Sequence, residues 1–156
     1  IIEIFTKKAM FLDTRNSHIN MAAIKKILVA IGNESSLNRC LNIAIPIAKG
    51  LNASITCIYV LAPFPINFQA ALEQSSKKLE KENAEKYFKI AKEKCKESGI
   101  EFDQITAKGQ PREAILEYEK EFNLIVIGRS DWGSKLLGSV SNAVVSSSKK
   151  DILLVK

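Results

Sequence analysis

IGRSDWGSKLLGSV, residues 127–140, follows the apolar run LIVI at 124–127 and precedes a stretch with helical spacing near 139–147. A continuous apolar run of strand length that ends in a glycine, here Gly128, reads as a strand buried on both faces. The glycine-containing loop then leads through Gly138 and Ser139 into the helix, and ILLVK at 152–156 supplies a further strand. Two readings of the loop stay open. Gly138-Ser139 either binds a phosphate at a helix N-terminus or is a glycine turn with a serine N-cap. Gly128 either lets a backbone approach a phosphate or makes a tight turn after the strand.

The same alternation extends back along the chain. KILVAI at 26–31 is a first strand, and Ser35 or Ser36 caps a helix running to about Lys49. Leu37, Cys40, Leu41, Ala44, Ile45 and Ala48 form its apolar stripe, Gly50 stops it, and Pro46 is expected to kink it or weaken one turn. SITCIYV at 54–60 is the second strand. A long helix over about 72–98 follows the loop LAPFPINFQAA, and its other faces carry Lys and Glu. EFDQITA at 101–107 is a weaker third strand, and Gly109-Gln110-Pro111 opens a short helix. LIVI is the fourth strand and ILLVK the fifth.

Strands alternating with helices imply an α/β fold: a single-domain three-layer sandwich around a parallel sheet covered on both faces. Right-handed crossovers give a five-stranded parallel sheet of order 3-2-1-4-5. The order reverses between strands 1 and 4, so their C-terminal ends flank the crevice where open sheets bind ligands. Strand 1 ends near Gly32 and strand 4 at Gly128, which brings the 127–140 stretch to that crevice.

Met21 opens MAAIKKILVAI, so the domain is read as 22–156. Residues 1–20, IIEIFTKKAMFLDTRNSHIN, are read as a flexible, loosely attached extension. Lys7, Lys8, Asp13 and Arg15 interrupt its apolar residues, which argues against a signal peptide.

Composition narrows the function classes. The chain has 156 residues, 46% hydrophobic and 26% charged, an ordinary globular balance for one domain. The net charge of +6 is spread among glutamates, with no arginine-rich stripe, so no nucleic-acid partner is expected. No apolar run approaches the ~20 residues that cross a bilayer, so no membrane partner is expected either. Cys40, Cys57 and Cys95 form no CxxC pair; they read as small core residues in a cytoplasmic protein, with no disulfide framework and no zinc site. His18 is the only histidine and lies in the extension, so Ser130, Ser134, Ser139 and Ser141 have no imidazole to activate them. No catalytic residue and no metal site are assigned, and any ATP hydrolysis is expected to be slow and incidental.

These segments, in this order, resemble the universal stress protein family over about residues 24–156. KKILVAI with its Ser-containing turn resembles the family's first unit, and CIYVLAP its second strand. KGQPREAILEYEKEFNLIVIG resembles its Gly-x-Pro turn, short helix and fourth strand, and GSVSNAVV with ILLVK its close. The resemblance implies a cytoplasmic stress-response module that binds ATP, with Mg²⁺, or another adenine nucleotide in the crevice between strands 1 and 4. ATP-binding members carry G-x2-G-x9-G-[S/T] after the fourth strand and an Asp at the end of the first. Carried over, the nucleotide-binding positions are Gly32, Val60, Gly128, Ser130, Asp131, Gly138, Ser139, Val140 and Ser141.

The chain departs from that pattern in three places. Asp131 stands at the second glycine, six residues rather than nine separate it from Gly138, and Gly32 stands where the first strand's Asp belongs. An aspartate near phosphates is repulsive unless a divalent cation intervenes. Trp132 either stacks on a base or covers the crevice. The alternative function is therefore a member that binds no nucleotide and acts purely through protein–protein contacts. The resemblance also implies a homodimer through the C-terminal strand, 152–156.

Overall fold

The computed structural model describes residues 2–5, 24–63, 70–129 and 138–156. Its elements are β1 (Ile2–Phe5), β2 (Lys26–Ala30), α1 (Glu34–Leu51), β3 (Ser54–Leu61), α2 (Ala70–Glu97), β4 (Phe102–Lys108), α3 (Pro111–Tyr118) with a 3-10 turn over Glu119–Glu121, β5 (Leu124–Gly128), α4 (Ser139–Ser147) and β6 (Asp151–Val155). The sheet order is β1-β6-β5-β2-β3-β4. The five strands β4-β3-β2-β5-β6 are mutually parallel, in the order 3-2-1-4-5 expected from the sequence.

Alternation along each strand explains the two-sided core. Ile27 and Val29 of β2 pack with Leu37, Cys40, Leu41 and Ala44 of α1 and Phe88, Ala91 and Cys95 of α2. Leu28 and Ala30 point the other way, toward Ala114 and Ile115 of α3 and Val144 of α4. A strand with helices on both faces has no solvent side, so its apolar run is unbroken. Among the described residues no helix is long and apolar enough to cross a membrane.

Two local expectations are corrected. Asn33, not Ser35 or Ser36, is the N-cap of α1: its side chain accepts from the Ser36 N–H at 2.8 Å, and the Asn33 N–H donates to the Ser36 hydroxyl oxygen at 3.2 Å. This capping box satisfies two backbone donors at once. The helix continues past Pro46, which lies on its exposed face. It also passes Gly50 and stops at Asn52 in the left-handed conformation, φ 52°, with the Asn52 N–H donating to Ala48 O.

The N-terminal segment also enters the sheet. Ile2–Phe5 pairs antiparallel with β6, Ile2 opposite Val155 and Phe5 opposite Ile152. An edge strand offers a row of unpaired N–H and C=O groups, and a nearby extended segment can satisfy them. The outer edge of β6, expected to face a second copy, therefore carries β1.

Candidate functional site

The strand order reverses between the parallel neighbours β2 and β5, and a crevice of about 370 Å³ opens at their C-terminal ends. Its volume lies in the range of small-molecule sites. Gly32 follows β2, Val60 is the last residue but one of the neighbouring β3, and Gly128 ends β5; all three line the crevice. Gly138, Ser139, Val140 and Ser141, the N-cap and first turn of α4, line it from the opposite side. Seven of the nine expected positions thus converge on one cavity. Ser130 and Asp131, like Trp132, lie outside the described residues.

The two helix N-termini at the crevice differ in kind. At α1 the capping box of Asn33 and Ser36 uses up backbone donors internally. At α4 the N-cap is Gly138, with no side chain to accept a hydrogen bond, and Ser139 is already helical. The serine N-cap reading is therefore corrected: Ser139 sits one residue too late to cap. The helix's own ladder begins where the Asn142 N–H donates to Gly138 O at 2.9 Å. The N–H groups of Ser139, Val140 and Ser141 precede it and have no acceptor within the helix. They stand at the positive end of the helix dipole, where an anion is favoured.

Ser141 has another task. It is buried, and its hydroxyl donates to Gly128 O at 2.9 Å, tying α4 to the end of β5. Gly128 is glycine for a third reason, distinct from the two the sequence offered. Its φ is not positive, so no special turn requires it. A Cβ there would stand 3.0 Å from Ser36 Cβ and 3.4 Å from Cys40 Sγ. The glycine lets α1 lie directly against the strand end. At Gly32 the nearest atom to such a Cβ is Ser36 Oγ at 3.4 Å, an ordinary contact.

The remaining lining is part apolar and part cationic. Ile58, Ile115 and Ile127 supply apolar wall, and Tyr59 packs edge-on to Tyr87 with ring centroids 5.7 Å apart. Burial, then the nearby Glu80 carboxylate and Tyr87, push the Tyr59 phenol up, so it stays protonated. Arg129 follows Gly128 on the crevice, and its carbonyl accepts from Arg39 Nη2 at 3.2 Å. The other guanidinium arm, Nη1, donates to Ser35 Oγ at 2.9 Å. Sequence reasoning missed Asn33, Ser36, Tyr59, Ile115 and Arg129. The Gly-x-Pro turn before α3 and the residue after Gly128 were the available signals for the last two.

No group of three or more His, Cys, Asp or Glu side chains that could hold a metal occurs among the described residues. The three cysteines are buried and free. Burial raises the Cys40 thiol to about 12, with Arg39 opposing, and the Cys95 thiol to about 11. Cys57 is raised further by burial and by the two other thiols. All three are neutral core groups, as the places of Cys40 and Cys95 on apolar stripes and of Cys57 in a strand implied.

Known proteins share this arrangement. The model of the universal stress protein family matches residues 23–156. Universal stress protein YxiE of Bacillus subtilis is 31% identical over 149 residues, covering 84% of this chain and 98% of that protein. Universal stress protein UspA from Lactobacillus plantarum superposes with a TM-score of 0.71 at 19% identity, over 85% of this chain and 98% of its own. A universal stress protein crystallised in complex with cAMP superposes with a TM-score of 0.67 at 25% identity, over 86% of this chain and 98% of that one. With the sheet order, the whole-domain match and the YxiE identity in agreement, this chain belongs to the universal stress protein family.

Proposed function

We propose that the chain is a cytoplasmic stress-response module that binds an adenine nucleotide in the crevice between β2 and β5 and signals occupancy to a protein partner. The observation that carries the reading is the N-terminus of α4: three backbone N–H groups without a side-chain cap, closing a cavity at the sheet's switch point. Phosphate oxygens take these donors, and the base lies toward Val60 and the apolar wall. The complex of a 25% identical relative with cAMP supports the ligand class. Occupancy would shift the surface offered to protein partners. The sequence's only histidine is His18, outside the domain, and the role proposed for the site is binding rather than turnover. The free, buried thiols suit a reducing compartment.

Calorimetric titration with ATP and Mg²⁺, then with AMP and cAMP without metal, tests this reading. Saturable heat that Gly138→Val abolishes is expected, because the branched side chain would intrude at the N-cap. Absence of heat up to millimolar nucleotide would transfer the case to the second reading, a member acting only through protein contacts. Gly32 favours that second reading, since it supplies no carboxylate to a base or ribose.

A further inference from the structure

The exit of β5 is held from two helices. The Gly128 carbonyl oxygen accepts from the Ser141 hydroxyl of α4 at 2.9 Å, and the next carbonyl, that of Arg129, accepts from Arg39 Nη2 of α1 at 3.2 Å. The second bond depends on Gly128. Because that residue has no side chain, Ser36 of α1 lies against the strand end, and Arg39, one turn further along the same helix, comes within reach of Arg129 O. Nη1 donates to Ser35 Oγ at 2.9 Å, so both arms of the planar fork are engaged and the charge is fixed in place. Arg39 borders the buried stripe of Leu37, Cys40 and Leu41 and is itself half-buried, where solvent screens a charge less than at the open surface. Arg129 lines the crevice, so the Arg39 guanidinium stands one hydrogen bond from its wall.

A carbonyl oxygen at a strand's C-terminal end carries the negative end of the peptide dipole, the wrong sign for an anion held nearby. Arg39 covers that oxygen at Arg129 and brings a positive charge to the same place. We propose that Arg39 is a positioning residue of the crevice: it fixes the exit of β5 and supplies positive potential that makes the crevice favour a nucleotide over its bare nucleoside. The inference rests on the nucleotide reading of the crevice and adds to it a residue outside the cavity lining. A phosphate monoester carries a charge of about −1.5 to −2 near neutral pH. The N–H groups at the start of α4 offset only about half a unit of it. Arg129 on the wall and Arg39 behind it supply the balance. Base and ribose are uncharged and draw nothing from Arg39, whereas a purely structural clamp would matter to every part of the ligand alike.

NMR titration of the full chain and of its Arg39→Gln variant with AMP and with adenosine, which reads affinities into the millimolar range, tests the assignment. Glutamine keeps an NH₂ group that can donate to Arg129 O and removes the charge. The variant should bind AMP about tenfold more weakly and adenosine within about twofold of the full chain. Added salt should weaken AMP binding to the full chain more than to the variant. A second readout needs no variant: the Arg39 guanidinium nitrogen resonances of the full chain should move on addition of AMP and stay in place with adenosine. The inference is overturned by a variant that binds AMP as tightly as the full chain, by equal losses for AMP and adenosine, or by guanidinium resonances that do not respond to bound AMP. A full chain that binds neither AMP nor ATP would instead remove the nucleotide reading itself, and this inference with it.

Discussion

The Ser141 hydroxyl donates to the Gly128 carbonyl oxygen at 2.9 Å, spanning 13 positions of sequence and pinning the first turn of α4 to the end of β5. The bond fixes the helix N-terminus relative to the strand that forms the other lip of the crevice. Ser141→Ala should cost about 1 kcal/mol of stability in urea unfolding, the usual net worth of one hydrogen bond. It should also weaken adenine-nucleotide binding several-fold in calorimetry, because the donors of α4 lose their fixed position. Unchanged affinity alongside reduced stability would mean that phosphate does not sit at α4.

Gly128 and Gly32 should respond differently to the same substitution. A methyl group on Gly128 meets Ser36 Cβ at 3.0 Å, a backbone-anchored atom with little room to yield. Gly128→Ala should destabilise by about 1–3 kcal/mol, the range for overpacking. Gly32→Ala meets only Ser36 Oγ at 3.4 Å and should change stability by less than about 0.5 kcal/mol, as ordinary substitutions do. Thermal or chemical denaturation of the pair checks the contrast; equal losses would contradict it.

Gly32→Asp restores the carboxylate that the family resemblance implies at the end of this strand. The backbone there has no positive φ and the Cβ position is open, so the variant should fold. A charged acceptor reaching the base or ribose should tighten adenine-nucleotide binding by roughly tenfold. An affinity no better than that of the unmodified chain would place the base elsewhere.

The buried thiols predict alkaline lability. Each has a folded-state pKa above its unfolded value: Cys40 at about 12 and Cys95 at about 11 against an ordinary 9.0. Above that ordinary value the unfolded chain releases protons that the native state keeps. The stabilisation is therefore complete below pH about 9 and erodes as pH rises through the folded pKa values, by up to ~1.4 kcal/mol per pH unit for each thiol. Urea unfolding at stepped alkaline pH should show this decline, and Cys40→Ala should flatten part of it. Iodoacetamide should label none of the three at neutral pH until the chain unfolds.

Much of this protein was legible in its sequence because the physics involved is local or periodic. KILVAI and LIVI are apolar at every position, and a strand in a parallel sheet covered on both faces has no reason to alternate. Leu37, Cys40, Leu41, Ala44 and Ala48 recur with helical period and are all buried. Once strands and helices alternate, crossover handedness leaves few sheet orders, and the switch point follows from the order. Gly32 and Gly128 could thus be assigned to one crevice from the strand order, and the family resemblance added Val60 and the Gly138–Ser141 run.

Caps were less legible, because Asn33, Ser35 and Ser36 are all good N-cap residues and lie within one turn of each other. Only the backbone conformation of Asn33, extended at φ −152°, selects it. The same ambiguity made Ser139 look like a cap, when the helix begins there and Gly138 precedes it without a side chain.

The sequence by itself determined the five parallel strands with their helices, the order 3-2-1-4-5, the buried thiols and the place of the crevice, since each depends on spacing along one chain. Tertiary structure alone decided what crosses between distant segments. It made Gly128 a packing glycine against Ser36, turned Ser141 inward to Gly128, and laid Ile2–Phe5 along β6. These depend on which surfaces meet in space, and a four-residue strand has too few positions for its period to announce a partner about 150 residues away.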